Sequence, residues 1–271
     1  MTTKRRGPTA ANMPKIESMS AVEARGNFLV FGDPGVGKTP FGASSPNGLV
    51  IAIDKGLISA KLAGSKAQQA TINTWEEFES LTKWLRVGHA SEFDWITLDG
   101  LTMAQEKCMR FFLDEGHAKS AAQDDMVPSQ AIHQKVQNTM KHMVGVYCDL
   151  PVNVMFTALP WNIETEDGEE RVIPLIHGQK GATSNYVTGL MDAVGYAQRT
   201  ENKAGREVFR ITWKPHGAYI GKDRFGTLKP FTDNPSLPEL ADRMNSALTG
   251  GGTTTQRRTP ARRARARRSV A

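Results

Sequence analysis

Apolar residues in this chain come in short unbroken runs, and the segments between them carry helical spacing. Phe28-Leu29-Val30-Phe31 is the first run, and it leads straight into Gly32. Leu49-Val50-Ile51-Ala52-Ile53 ends at Asp54, Phe93-Asp94-Trp95-Ile96-Thr97-Leu98 at Asp99, and Val152-Asn153-Val154-Met155-Phe156 at Thr157. Runs of this kind read as strands buried on both faces, as in a parallel sheet covered by helices. Thr74-Trp75-Glu76-Glu77 has the wording of a capping box and predicts a helix to about Leu85, with Leu81, Trp84 and Leu85 on one face. From Ser129 a second helix is predicted, because Ile132, Val136, Met140, Met143 and Tyr147 recur at three- and four-residue steps until Pro151. Residues 114–129 and 177–189 are polar or rich in Gly, Ser and Thr, and read as loops.

Beyond Thr157 the pattern changes to shorter β elements. Asp167-Gly168 marks a hairpin turn between Trp161–Glu166 and Glu169–Ile173. A second strand pair, Asp192–Gln198 with Glu207–Trp213, is expected around the turn at 201–205, and a short helix at Leu237–Leu248. The predicted fold class is α/β: a mostly parallel central sheet flanked by helices, with antiparallel β elements towards the C-terminus. Three regions are expected: a basic, disordered segment over 1–14, one folded domain over 15–249, and a Gly/Thr linker with an arginine-rich tail over 250–271.

Charge adds to the picture only once it is located. The formal charge is +6, but residues 250–271 hold seven arginines and no acid, and residues 1–14 hold three basic residues and no acid. Removing those ten positive charges leaves −4 for residues 15–249, so the folded part is mildly acidic and both ends are basic. Two cysteines, Cys108 and Cys148, form no disulfide framework, and a reducing, cytoplasmic setting is the expectation. Lys4, Arg5 and Arg6 are not followed by the apolar region of a secretory signal, and no apolar run is long enough to span a bilayer.

The chemistry starts where the first strand ends. Gly32-Asp33-Pro34-Gly35-Val36-Gly37-Lys38-Thr39 fits G-x-x-x-x-G-K-[ST] in the required strand-to-helix context. In such a loop, glycines let successive backbone N–H groups turn inward on a phosphate chain, the lysine reaches the outer phosphates and the hydroxyl holds magnesium. ATP and Mg²⁺ are therefore the expected ligands, and a helix opening near Gly37 points its positive end at the anion. Pro40 follows, at a position where a backbone N–H commonly helps to hold the α-phosphate; proline has none, although it fits a first helical turn. Asp99, at the end of an apolar strand, is the expected metal-linked carboxylate. Asp54 is the first choice to position the attacking water, because its strand is expected beside the phosphate loop; Thr157 is placed to sense the γ-phosphate. Lys222 and Arg224, separated by one residue in Gly221-Lys222-Asp223-Arg224-Phe225-Gly226, should face one side and suit an arginine-finger role.

These motifs, in this order, resemble RecA-like P-loop ATPases, above all phage nucleotide-binding proteins described as single-strand annealing recombinases. The K-x-R-F-G element at Lys222–Gly226 is also similar to that of RadA and DnaB-type ATPases. The resemblance covers about residues 24–248 and implies a RecA-like core, DNA-dependent ATP hydrolysis, and a homo-oligomeric ring or filament in which Lys222 and Arg224 complete a neighbour's site. It further implies single-stranded DNA as substrate, a phage or host single-strand-binding protein as partner, and, for a phage protein, the host cytoplasm as location. Residues 177–189, with Gln179, Lys180, Asn185 and Tyr186, and residues 114–129 are where the resemblance puts DNA-facing loops; lysine and tyrosine there suit backbone contact and base stacking. The tail arginines Arg257, Arg258, Arg262, Arg263, Arg265, Arg267 and Arg268 show no apolar face and read as a sequence-independent nucleic-acid contact. Two other readings stay open: a nucleotide-dependent DNA-binding scaffold with little hydrolysis, and a P-loop nucleoside or nucleotide kinase.

Overall fold

In the computed structural model, which describes Ser18 and residues 25–54, 56–119 and 126–248, strand β1 (Asn27–Gly32) lies inside the sheet. Its side chains alternate between two cores. Leu29 and Phe31 join one apolar cluster, and Phe28 and Val30 join the other. That period of two is what a strand covered on both faces requires.

The remaining elements follow in order. A short helix α1 (Lys38–Gly42) leads to β2 (Gly48–Ala52), then to α2 (Ile58–Leu62) and β3 (Gln68–Thr71). Next come α3 (Trp75–Arg86), β4 (Trp95–Asp99), α4 (Leu101–Lys119), α5 (Gln130–Cys148) and β5 (Asn153–Ala158). A hairpin of β6 (Pro160–Glu164) and β7 (Glu170–Pro174) precedes α6 (Ala182–Leu190). The chain then builds β8 (Ala193–Glu201), β9 (Glu207–Thr212), β10 (Lys222–Asp223), β11 (Phe231–Asp233) and α7 (Leu237–Leu248).

The main sheet has the order β11-β9-β8-β1-β5-β4-β2-β3, with β10 paired to the start of β8. Strands β3, β2, β4, β5, β1 and β8 are mutually parallel, while β9 and β10 run antiparallel to β8. This is the expected α/β class, a mostly parallel central sheet with antiparallel strands towards the C-terminus. One core cluster gathers side chains of α3, α4, α5 and α6 on one face of the sheet; the other gathers those of α1 and α7 on the opposite face.

Local chemistry explains most boundaries. Thr74 caps α3 with a complete capping box, and Ser129 caps α5 by accepting from the Ile132 N–H. All five periodic residues of α5 are buried. On α3 the buried face is Trp75, Phe78 and Leu85, whereas Trp84 turns out and stacks on His89 with ring centroids 4.2 Å apart. The Asp167-Gly168 hairpin is closed by Gly168 N–H to Thr165 O and Thr165 N–H to Glu169 O, a three-residue loop rather than a two-residue one.

Three expectations are corrected. Residues 177–189 are largely helical: a 3₁₀ turn at Gln179–Gly181 runs into α6, and the Ser184 hydroxyl meets the carbonyls of Pro174 and Ile176. Within 114–129, α4 continues to Lys119, and residues 120–125 lie outside the described set. The strand that precedes Asp54 is not beside β1, because β4 and β5 intervene. The predicted tails, with the seven arginines of 250–271, also lie outside the described residues. Among the described residues no helix is long and apolar enough to cross a membrane.

Candidate active site

The loop between β1 and α1 takes the backbone path its glycines allow. Gly35 and Gly37 have φ of +78° and +120°, in the left-handed region that favours glycine. The helix that follows is only five residues long, and its exposed carbonyls are met by other parts of the chain. Thr97 of β4 donates to Gly42 O at 2.6 Å, and Ser65 donates to Ala43 O at 2.6 Å. The first of those bonds ties the C-terminal end of α1 to β4, and the second ties it to the segment before β3.

The centre of the site is the carboxylate of Asp99, which is 7% exposed. Thr39 Oγ1 donates to its Oδ2 at 2.6 Å, and Thr157 Oγ1 donates to its Oδ1. The sheet order explains the convergence: β5 lies between β1 and β4, so Thr157 sits between the phosphate loop and Asp99. Lys38 folds back on its own loop, with Nζ donating to Gly32 O at 2.7 Å and Asp33 O at 2.8 Å. Burial pushes the Lys38 ammonium below its usual pKa, against the opposing pull of Asp99, Asp33 and Asp54.

Gly35, Gly37, Lys38, Thr39, Pro40, Asp54, Asp99 and Thr157 together line a cleft of about 440 Å³. Asp54 thus reaches the site despite its distant strand, and its Oδ1 accepts from the Gly56 N–H at 2.8 Å. Asp54 and Asp99 are the carboxylates among the lining residues. The donor set suits the expected ligands. Two left-handed glycines shape the loop for phosphate, Lys38 supplies positive charge, and Thr39 with Asp99 offers the hard oxygens that magnesium prefers. Among the described residues no group of three His, Cys, Asp or Glu side chains gathers to hold a metal. A magnesium ion here would rest on Thr39 and Asp99 together with phosphate oxygens.

The model of a family described as an AAA domain matches residues 25–225, about three quarters of the chain. The chain belongs to the AAA domain family. The match includes the phosphate loop, Asp99, Thr157 and the Lys222–Arg224 pair, and it stops before β11 and α7. No curated protein matches the chain. Among solved structures it is similar to the flagellar accessory protein FlaH from Methanocaldococcus jannaschii, with 8% sequence identity and a TM-score of 0.38, over 77% of this chain and 84% of that one. The phosphate loop of this domain lines the cleft at Asp99.

Lys222 and Arg224 lie elsewhere in the AAA domain. Lys222 pairs with Val194 and Gly32 with Ala197, so three residues of β8, roughly 10 Å of strand, separate the two levels. Both cations do face one side: Lys222 Nζ donates to Thr188 O and Gly189 O at 2.8 and 2.9 Å, and Arg224 Nη2 donates to Gly189 O at 3.0 Å. They dress the negative C-terminal end of α6, and Arg224 also meets Asp192 at 3.3 Å. Between them, Asp223 accepts from the Gly226 and Leu228 N–H groups and shapes the turn, while Phe225 stacks on Phe28.

Of the DNA-facing candidates, Lys180 pairs with Glu166 at 2.9 Å, and Tyr186 is 48% exposed on α6 with Lys141 Nζ 5.3 Å from its ring centroid. Sequence reasoning missed Arg199, Ser59 and Thr102, which also line the cleft. Arg199 was out of reach because only the β1–β8 register reveals it: Gly32 pairs with Ala197, two residues before it.

Proposed function

We propose that this AAA domain hydrolyses ATP in a DNA-dependent manner, as a ring or filament acting on single-stranded DNA in phage recombination or annealing. One relationship carries the reading: the phosphate-and-metal cradle at Asp99 is well formed, while Lys222 and Arg224 stand at the other level of the sheet, away from their own chain's cleft. Cations so placed are of use to a phosphate chain only if it belongs to a neighbouring subunit. In this reading Lys38 and the loop amides bind the phosphates, Thr39 and Asp99 hold magnesium, and Asp54 orients the water. Magnesium supplies charge neutralisation at the phosphates; Thr157 fixes the Asp99 carboxylate that holds it. In this reading Lys180 and Tyr186 meet the strand by charge and stacking, and the arginines of 250–271 add sequence-independent charge.

Pro40 favours a second reading, in which nucleotide binding orders a DNA-bound scaffold and turnover is slow, since proline removes one phosphate donor from the cleft. Measuring ATP turnover by the purified protein with and without single-stranded DNA separates the two. DNA-stimulated turnover supports the ATPase; binding of both ligands without turnover supports the scaffold; phosphate transfer to a nucleotide acceptor would show a kinase and reject both. Removal of residues 250–271 is expected to lower DNA affinity and flatten its salt dependence.

A further inference from the structure

Lys38 and Arg199 are the cations that line the cleft, and only Lys38 has a role so far. Arg199 belongs to β8, next to β1, and its alternation partners Ala193 and Ala197 face the α1 core. Arg199 therefore stands on the α1 face, just past the level of Gly32. Its partner across the β8–β9 pair, Phe209, stands beside the phosphate loop at Gly37. The Phe209 ring lies 3.1 Å from where a Cβ on Gly37 would sit, and an Arg199 guanidinium nitrogen lies 3.5 Å from the same point. The ion pair with Glu207 is loose, at 3.8 Å, and about half of the Arg199 side chain is exposed, so the guanidinium is available to another anion.

The sheet order decides which anion. Asp99 and Thr157 come from β4 and β5, on one flank of the phosphate loop, and in the reading above metal and terminal phosphates would lie at that end. Arg199 approaches from β8 on the opposite flank, which leaves the α-phosphate and nucleoside to that side if the terminal phosphates lie towards Asp99. That flank is also short of a donor. Pro40 is the third residue of α1, in the first turn, where an N–H has no partner within the helix and would point into the cleft. Proline leaves that position empty of a donor.

We infer that Arg199 is a nucleotide-binding residue that holds the α-phosphate in place of the main-chain donor that Pro40 lacks. The inference rests on the nucleotide-binding reading above. A guanidinium suits the task because it gives charge and a donor fork to a phosphate. It also predicts a specific dependence between two residues, since a donor restored at position 40 should make Arg199 dispensable.

The test is a calorimetric titration of the full chain with Mg–ADP, which carries the α-phosphate. Arg199→Ala is expected to weaken binding about tenfold, and Arg199→Lys by less, since it keeps the charge but not the fork. Pro40→Ala restores an N–H. In that background Arg199→Ala should cost less than about threefold, as expected for two donors serving one phosphate. Glu207→Gln, which removes the ion-pair partner, should leave affinity unchanged or raise it. The inference is overturned if Arg199→Ala has no effect, if its loss is the same in both backgrounds, or if Glu207→Gln reproduces it in a folded protein. Failure of the wild-type chain to bind Mg–ADP in a Lys38-dependent way would instead reject the nucleotide reading itself.

Discussion

Thr39 Oγ1 donates to Asp99 Oδ2 at 2.6 Å, joining residues sixty positions apart. The contact ties the last residue of the phosphate loop to the end of β4, where a metal ion would find both a hydroxyl and a carboxylate. Its first consequence concerns magnesium. Asp99→Asn keeps the size of the side chain and one acceptor oxygen but removes the charge. The magnesium-dependent part of ATP affinity is expected to fall by tenfold or more, while metal-free nucleotide binding changes little. Titrating magnesium against ATP in both proteins checks this; an unchanged magnesium requirement would remove Asp99 from the metal site.

Thr157 is the other hydroxyl on this carboxylate, and it is 1% exposed. Thr157→Val retains the shape but leaves the buried Oδ1 of Asp99 without its donor. That should lower stability by about 1–3 kcal/mol, because a buried acceptor loses its partner without regaining water. Thr157→Ser should recover most of the loss. Urea unfolding of the three proteins, read for midpoint and slope, decides it.

What the sequence revealed of this site follows from which interactions are local. The phosphate loop, the capping box at Thr74 and the buried face of α5 are encoded by residues within a few turns of one another, and each was placed from spacing alone. Helix α6 was not, because its Gly, Ser and Thr content reads as a loop until the Ser184 hydroxyl is seen to bond Pro174 and Ile176. Asp54 was assigned to the cleft for a mistaken reason: two strands separate β2 from β1, yet the chain beyond β2 still brings Asp54 to the lining. Arg199 is a matter of register between strands more than 160 residues apart in sequence, and no local pattern announces it.

Lys38 sets a pH dependence of stability. Burial lowers its folded-state pKa below 10.5, so between that lowered value and 10.5 the unfolded chain binds more protons than the folded one. Its contribution to stability therefore rises with pH through this window, and below it the buried charge is a cost. Lys38→Met should accordingly be more stable than the wild type at pH 7, with the gap closing as pH approaches 10.5. Bound nucleotide phosphates should reverse the shift and draw a proton onto Lys38. Denaturation curves at pH 7 and pH 10, with and without ADP, measure both effects.

The cysteines should be quiet. Burial pushes the thiols of Cys108 and Cys148 up to about 12, so the thiolate is scarce at neutral pH. Iodoacetamide at pH 8 is expected to label the folded protein at least tenfold more slowly than the urea-unfolded chain, where an ordinary thiol pKa returns. Rapid labelling of Cys108, whose side chain is fully buried, would mean that α4 opens readily from the core.

Arg224 offers the sharpest division between a structural and a catalytic role. In its own chain it meets Gly189 O and Asp192 from a position whose side chain is about half exposed. Losing such contacts should cost no more than about 1 kcal/mol. A cation that completes a neighbour's phosphate site is worth far more, about a thousandfold in turnover. Arg224→Ala is thus expected to leave the unfolding midpoint nearly unchanged while abolishing ATP hydrolysis. Lys38→Ala removes the other half of the same composite site, and each variant alone should be inactive. Mixed under subunit exchange, they form some interfaces with an intact phosphate loop on one side and an intact Lys222–Arg224 pair on the other. Part of the activity should then return, up to about a quarter at equal mixing if subunits pair at random. Recovery requires the pair to act across an interface. If mixing restores nothing although exchange is shown by labelled subunits, Arg224 serves only the end of α6, and the shared-site reading fails with it.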